Sequence, residues 1–266
     1  MKRILCILLA LALCLCLCGC GGSSREVRTV TVLVEQDYSL AFRTGDPTAY
    51  YVVAAIEALN AEGKVDELSV KWFGTRLVSF GDDGEALGKL DPAEPRSFII
   101  GVDTNSFPMA YLTNGQCWGF DIELATAVCE LLGWELKIQS IEKENVYIEL
   151  SSGNIDCAWG GIALDPQEVA DGKIAQYGPY VHNDIVIAKR GDAFIENKYM
   201  LANKALAMCS TQEAMDALQT DPGIVDRLGQ ISRLAGGTTE CFQYLYQGRS
   251  DVILTDSTAI YYFNCH

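Results

Sequence analysis

Gly153-Asn154-Ile155-Asp156-Cys157-Ala158-Trp159-Gly160-Gly161-Ile162-Ala163-Leu164-Asp165-Pro166 is the stretch whose reading decides the fold. A turn glycine leads into a short apolar run, a Gly-Gly pair follows, and Asp165-Pro166 makes the next break. The pattern predicts a buried parallel strand whose carboxyl end opens into a site floored by Gly160 and Gly161 and walled by Trp159. A shorter echo, Gly248-Arg249-Ser250-Asp251-Val252-Ile253-Leu254-Thr255-Asp256, repeats the spacing of glycine, two residues, aspartate and strand. Two such units imply two similar lobes with one site between them.

Strands and helices alternate on both sides of the stretch. Before it come a strand at 97–102, a helix at 119–132 with Ile122, Ala125, Val128, Leu131 and Leu132 facing inward, a strand at 135–141 and a short helix at 146–152. After it come strands at 185–189, 205–208, 231–234 and 252–254, with helices starting at Ser210-Thr211 and spanning 238–246. At the front of the chain, 27–34 and 40–43 read as two strands. Asp46-Pro47 then starts a helix with Val52, Ile56 and Leu59 on one face. Residues 75–96 turn polar, with Gly81-Asp82-Asp83-Gly84, Pro92 and Pro95, and read as a linker. The class is α/β with two parallel-sheet lobes, and ligands of such sheets sit outside the carboxyl ends of the strands.

The whole chain sets bounds on function. Its 266 residues, 49% hydrophobic and 21% charged, suffice for a sizeable core. The net charge of −15 repels nucleic-acid phosphate and excludes that class of partner. Met1-Lys2-Arg3 and the apolar run after it form a secretory signal at 1–19, too short to favour a spanning helix. Leu17-Cys18-Gly19-Cys20 resembles a lipobox, which implies cleavage before Cys20, lipid on its thiol and a tether at 20–27. Cys117, Cys129, Cys157, Cys209, Cys241 and Cys265 remain beyond it. They read as free thiols, with disulfides as the alternative. No CxxC is present, and His182 and His266 sit in no metal spacing, so neither metal nor cofactor is expected.

Gly119-Phe120-Asp121-Ile122, Gly153-Asn154-Ile155-Asp156, the run from Gly160 to Pro166 and Gly178-Pro179-Tyr180 together resemble the first lobe of the family 3 extracellular solute-binding proteins. The resemblance continues through 248–256. It implies a two-lobed periplasmic-binding-protein type 2 fold with a two-strand hinge, expected near 34–39 and 188–191. The family's closing segment stands instead at the front, as Tyr38-Ser39-Leu40-Ala41-Phe42-Arg43-Thr44-Gly45-Asp46 through Lys71-Trp72-Phe73-Gly74. The order implies a circular permutation, or alternatively a fusion of two gene pieces. The first lobe then takes residues 38–190, with the permuted segment 38–74 and the linker 75–96 inside it. The second takes 191–266 plus 28–37.

The resemblance makes Asp256 the anchor for a ligand's amino group, with helix capping as its ordinary alternative. Ser210 and Thr211 match the helix start that meets a ligand's carboxylate. Phe107, Tyr111 and Trp159 are candidate walls, or core. The family's carboxylate-binding arginine falls near Glu168, the serine or threonine two places after the second glycine is Ala163, and Asp165 replaces a threonine. Carboxylates with an aromatic face suit a cation. The expected protein is a monomeric, lipid-anchored, extracytoplasmic solute-binding protein, not an enzyme. It would pass an amine or amino acid to the permease of an ABC importer. A lipid-anchored sensor and a dehydratase-like enzyme using Glu168 or Asp256 are the alternatives.

Overall fold

The computed structural model describes residues 25–266; the signal expected at 1–19, the expected lipid site Cys20 and the start of the expected tether lie outside the described residues. A single eight-stranded sheet runs through the molecule in the order β5-β2-β6-β1-β7-β10-β8-β9. These strands are β1 (Val27–Arg43), β2 (Ser97–Val102), β5 (Glu135–Ser140), β6 (Cys157–Ala158), β7 (Ile174–Arg190), β8 (Ala205–Cys209), β9 (Gln230–Leu234) and β10 (Val252–Asp256). The hairpin of β3 (Tyr111–Thr113) and β4 (Gln116–Trp118) stands apart. At one end β5, β2 and β6 are parallel, and at the other β10, β8 and β9 are.

The two central strands, β1 and β7, are 17 residues each and pair antiparallel along their whole length. Sequence patterning splits each of them, because Gly178-Pro179 reads as a break and proline cannot donate to a ladder. The structure absorbs that pair in a register shift, where Leu40 faces Tyr177 and Tyr38 faces Val181. The second half of β7, expected in the first lobe, instead hydrogen-bonds β10 and packs in the second. The strands cross between lobes where Glu35, Gln36 and Asp37 face Asp184, Asn183 and His182. Residues 188–190 lie at the far end of the sheet, opposite Val27, Arg28 and Thr29.

Each lobe has its own core. The helices are α1 (Thr48–Ala61), α2 (Lys64–Phe73), α3 (Phe120–Leu132), α4 (Val146–Ser151), α5 (Pro166–Ala170), α6 (Gln212–Gln219), α7 (Pro222–Val225), α8 (Gly237–Tyr246) and α9 (Ser257–Cys265). In the first lobe α1 lays Val52, Ile56 and Leu59 against Phe42, Phe98 and Ile100 of the sheet. Full burial of each such side chain contributes roughly 1.5–3 kcal/mol. Asp46 Oδ1 accepts the Thr48 amide at 2.9 Å, so it caps α1 as its position before Pro47 implied. α3 ends at Gly133 in the left-handed conformation and buries Ile122, Ala125, Val128 and Leu132, but Leu131 is exposed. In the second lobe β7 alternates, with Ile185 and Ile187 on one face and Val186 and Ala188 on the other. The segment at 75–96 packs on the first lobe, where Phe80 stacks on Tyr180 at 5.1 Å and Glu94 O accepts the Trp134 indole N–H at 3.0 Å.

The key stretch and its echo do the same local work. Asp156 donates its amide to Ile99 O at 2.8 Å and accepts the Ile99 amide on Oδ2 at 2.9 Å. Asp251 does this to Ala205, at 2.8 and 2.9 Å. In each lobe the aspartate stands directly before its strand and clips it onto the neighbouring parallel strand.

Candidate functional site

The carboxyl ends of β2, β8, β9 and β10 converge on a cleft of about 520 Å³ between the lobes. Thr104, Asn105, Phe107, Tyr111 and Leu112 line it from the first lobe. Facing them are Ser210, Thr211 and Glu213 from the start of α6, Gly236 to Thr239 from the start of α8, and Thr255 and Asp256 from β10.

Asp256 is held from the crossing strands. Its Oδ1 accepts the Asn183 amide at 2.7 Å and the Tyr38 hydroxyl at 3.3 Å, and Oδ2 receives no hydrogen bond among the described residues. Asp256 sits at the N-cap position of α9 but makes no side-chain cap. Asn183 Oδ1 caps that helix instead, accepting the Thr258 amide at 3.2 Å and hydroxyl at 3.0 Å. The neighbouring strand thereby frees the carboxylate from the capping role. Burial pushes the Asp256 carboxyl up to about 6, and Glu213 adds repulsion. Beside it the buried Thr255 hydroxyl has no hydrogen-bond partner among the described residues.

Thr211 does act as a cap, its Oγ1 accepting the Ala214 amide at 3.2 Å, and exposed Ser210 beside it also lines the cleft. Glu213 pairs with Lys143 of the first lobe, the ion pair that bridges the two sides of the cleft. Phe107 is both wall and core. It touches the cleft, yet its ring packs on Tyr111 at 4.8 Å and on Tyr262 and Phe263 of α9 at 4.8 and 5.4 Å.

Trp159 is fully buried and turned away from the cleft. Its indole N–H donates to Asp121 Oδ1 at 3.1 Å, while Asp121 Oδ2 accepts the Gly161 amide at 2.9 Å and the Tyr180 hydroxyl at 2.7 Å. Burial raises the Asp121 carboxyl to about 7 against those three donors. Gly161 adopts φ +63°, and a Cβ there would sit 2.7 Å from Ser106 Cβ, so the turn tolerates only glycine. Gly160 and Gly161 therefore shape the floor behind Ser106 rather than lining the cleft. Asp165 caps α5, accepting the Gln167 amide at 2.8 Å. Asp165 and Glu168 line a separate hollow of about 270 Å³ with Lys143 and Glu144.

The family model for bacterial extracellular solute-binding proteins, family 3, matches residues 98–230. The chain belongs to this family. Among curated relatives, the arginine-binding extracellular protein ArtP of Bacillus subtilis (strain 168) is 23% identical over 113 residues, 42% of this chain and 44% of ArtP. The probable amino-acid-binding protein YxeM of the same organism is 27% identical over 90 residues, 34% of each chain. The matched segment thus spans less than half of either relative. A polar amino acid ABC uptake transporter substrate-binding protein from Streptococcus thermophilus aligns at 27% identity, over 60% of this chain and 61% of that one, with a TM-score of 0.46. An ABC uptake transporter substrate-binding protein from Streptococcus pneumoniae with bound histidine aligns at 26% identity, over 61% and 66%, also at 0.46.

A family 3 member is a binding protein, which removes the enzymatic alternative. Within the cleft of this one, no lysine, arginine or histidine is among the lining residues, whereas Glu213 and Asp256 both are. Sequence reasoning missed Glu213, Asn183 and Asp121. Glu213 follows Thr211 by two places and reads as an ordinary acid in a helix's first turn. Asn183 and Asp121 take their meaning from partners 73 to 75 and 38 to 59 residues away.

Proposed function

We propose that this protein captures a small cationic solute, an amine or a basic amino acid, in the interlobe cleft and presents it to the permease of an ABC importer. The observation that carries the reading is the cleft's charge: Glu213 and Asp256 line it with no basic side chain among the lining residues, and since Lys143 pairs with Glu213, Asp256 is the carboxylate left for a ligand. A ligand ammonium or guanidinium near Asp256 makes a charge-assisted bond, and Phe107 and Tyr111 offer aromatic surface to the remainder. The N-terminal turns of α6 and α8, which line the cleft, suit an amino acid's carboxylate. The arginine-binding relative supports a basic amino acid as the first compound to try. Closure rotates the lobes about residues 34–39 and 182–184, with Lys143 and Glu213 meeting across the mouth. The protein acts as a monomer, tethered outside the cell by lipid on Cys20, and Cys20→Ala is expected to release it into the medium.

The test is a thermal-shift panel of L-arginine, L-lysine, polyamines, quaternary ammoniums and neutral amino acids. A ligand at about 100 times its dissociation constant stabilises by roughly 2.7 kcal/mol, a readily measured shift. Shifts confined to neutral amino acids would overturn the cation assignment.

The segment order is a circular permutation in this reading. Support comes from Asn264, near the end of α9, whose side chain accepts the Val27 amide at 2.7 Å and donates to Val27 O at 2.9 Å. The family match begins directly after the 75–96 segment, which spans from α2 to β2. A chain reordered with 97–266 ahead of 25–74 is expected to unfold cooperatively and bind as the natural order does. Failure of that chain to fold would favour a fusion of unrelated pieces.

A further inference from the structure

The six cysteines among the described residues are free thiols, yet two of them meet in the cleft wall. Cys209 ends β8 and lines the cleft; Cys241 lies fully buried behind it on α8, with the sulfurs 3.8 Å apart. Cys129 and Cys157, by contrast, are buried, and no contact between their sulfurs and another cysteine's is present among the described residues. A disulfide needs about 2.0 Å between sulfurs, so a side-chain movement of under about 2 Å joins the pair. We propose that Cys209 and Cys241 form a reversible disulfide, a redox modification site in the wall of the binding cleft.

The two sulfurs have different roles in that reaction. The contact between the two sulfurs holds the Cys209 thiol below its ordinary range, while the same contact and burial push Cys241 up. Cys209, open to the cleft, is thus the attacking thiolate. It attacks one sulfur of a low-molecular-weight disulfide, whose S–S bond breaks and releases one thiolate. Cys241 then gives up its proton, and its sulfur attacks Cys209 Sγ and expels the second thiolate. The protein loses two electrons and two protons, and the external disulfide becomes two thiols. An extracellular family works where such oxidants persist.

The crosslink would join two edges of one cavity. Ser210 and Thr211 directly follow Cys209, and Gly236 to Thr239 open the helix that carries Cys241. Oxidation ties these segments together and stiffens the second lobe's side of the cleft. Formation of the crosslink depends on the 3.8 Å approach of the two sulfurs and not on which solute binds.

The test treats the purified protein with oxidised glutathione, followed by peptide mass mapping without reduction. The expected result is a Cys209–Cys241 disulfide in wild type, reversed by dithiothreitol. Slower amide exchange at 209–212 and 236–241 and a Tm raised by several degrees should accompany it. Cys241→Ser should trap glutathione on Cys209, and Cys209→Ser should leave Cys241 unmodified. A stable glutathione adduct on Cys209 in wild type, or six unchanged thiols, would overturn the proposal, whatever either variant does.

Discussion

Asp121 in the first lobe is fully buried and Asp256 in the second is half-buried, and desolvation pushes the two carboxyls up to about 7 and about 6. Their surroundings differ in one respect. Asp121 uses both oxygens, tying Trp159, Gly161 and Tyr180 into one knot. Asp256 takes its two bonds on a single oxygen, and its capping position is filled by Asn183 from the next strand. A buried carboxylate with every oxygen spent inside the chain is a structural tie. A half-buried one whose second oxygen has no partner among the described residues, in a cleft whose one nearby lysine, Lys143, is already paired with Glu213, is suited to hold a ligand.

The largest expected effect separates the two directly. Asp121→Ala leaves an indole N–H, an amide and a hydroxyl buried without their acceptor and is expected to cost about 3–5 kcal/mol in urea unfolding. Asp256→Asn should leave unfolding no easier at pH 7, because the native state there holds a charge that burial disfavours. The same substitution is expected to lower affinity for the cationic ligand at least about 30-fold, roughly 2 kcal/mol, by calorimetry. If both variants lose stability alike, the distinction between tie and anchor fails.

Acid sharpens the comparison further. Protons compete with a cation at Asp256, so affinity should fall as pH drops below about 6, approaching about tenfold per pH unit. The empty protein should respond in the opposite sense. Its native carboxyls hold protons at about 7 and about 6, where the unfolded chain, titrating near 3.8, does not. Fewer protons are bound on unfolding, so stability should rise as pH is lowered from 8 to 6. Asp256→Asn removes its share of that rise and leaves the share of Asp121. The smallest effect belongs to Glu213→Gln. It should weaken cation binding about three- to tenfold and move the acid midpoint of binding downward, because Glu213 adds to the upward push on Asp256.

Much of the frame was legible because local rules set it. Ser97–Val102 appears as the apolar run implied, and α1 shows the face of Val52, Ile56 and Leu59. The echoing aspartates Asp156 and Asp251 were visible as a spacing, though their shared clip on the neighbouring strand was not. What the residues could not disclose depended on distant partners. Trp159 looks like a wall because it ends an apolar strand beside two glycines, and only Asp121 on α3 reveals that it faces inward. The length of β7 was hidden by Gly178-Pro179, whose break vanishes once β1 supplies a shifted register.

That long ribbon has a mechanical consequence. Because β1 and β7 each run through both cores, no flexible string joins the halves; they share a leaf spring two strands wide. Sliding one strand along the other by a residue would turn every side chain to the wrong face, so that motion is blocked. Bending and twisting where Glu35–Asp37 face His182–Asp184 remain. His182 sits there between Asp37 and Asp184, with its ring nitrogens 2.8 and 3.0 Å from their carboxylates, and stiffens the flexing zone on its exposed side. In the proposed closure a flexure of this kind would return the two sides of the cleft to the same register at every cycle, without a separate latch to align them.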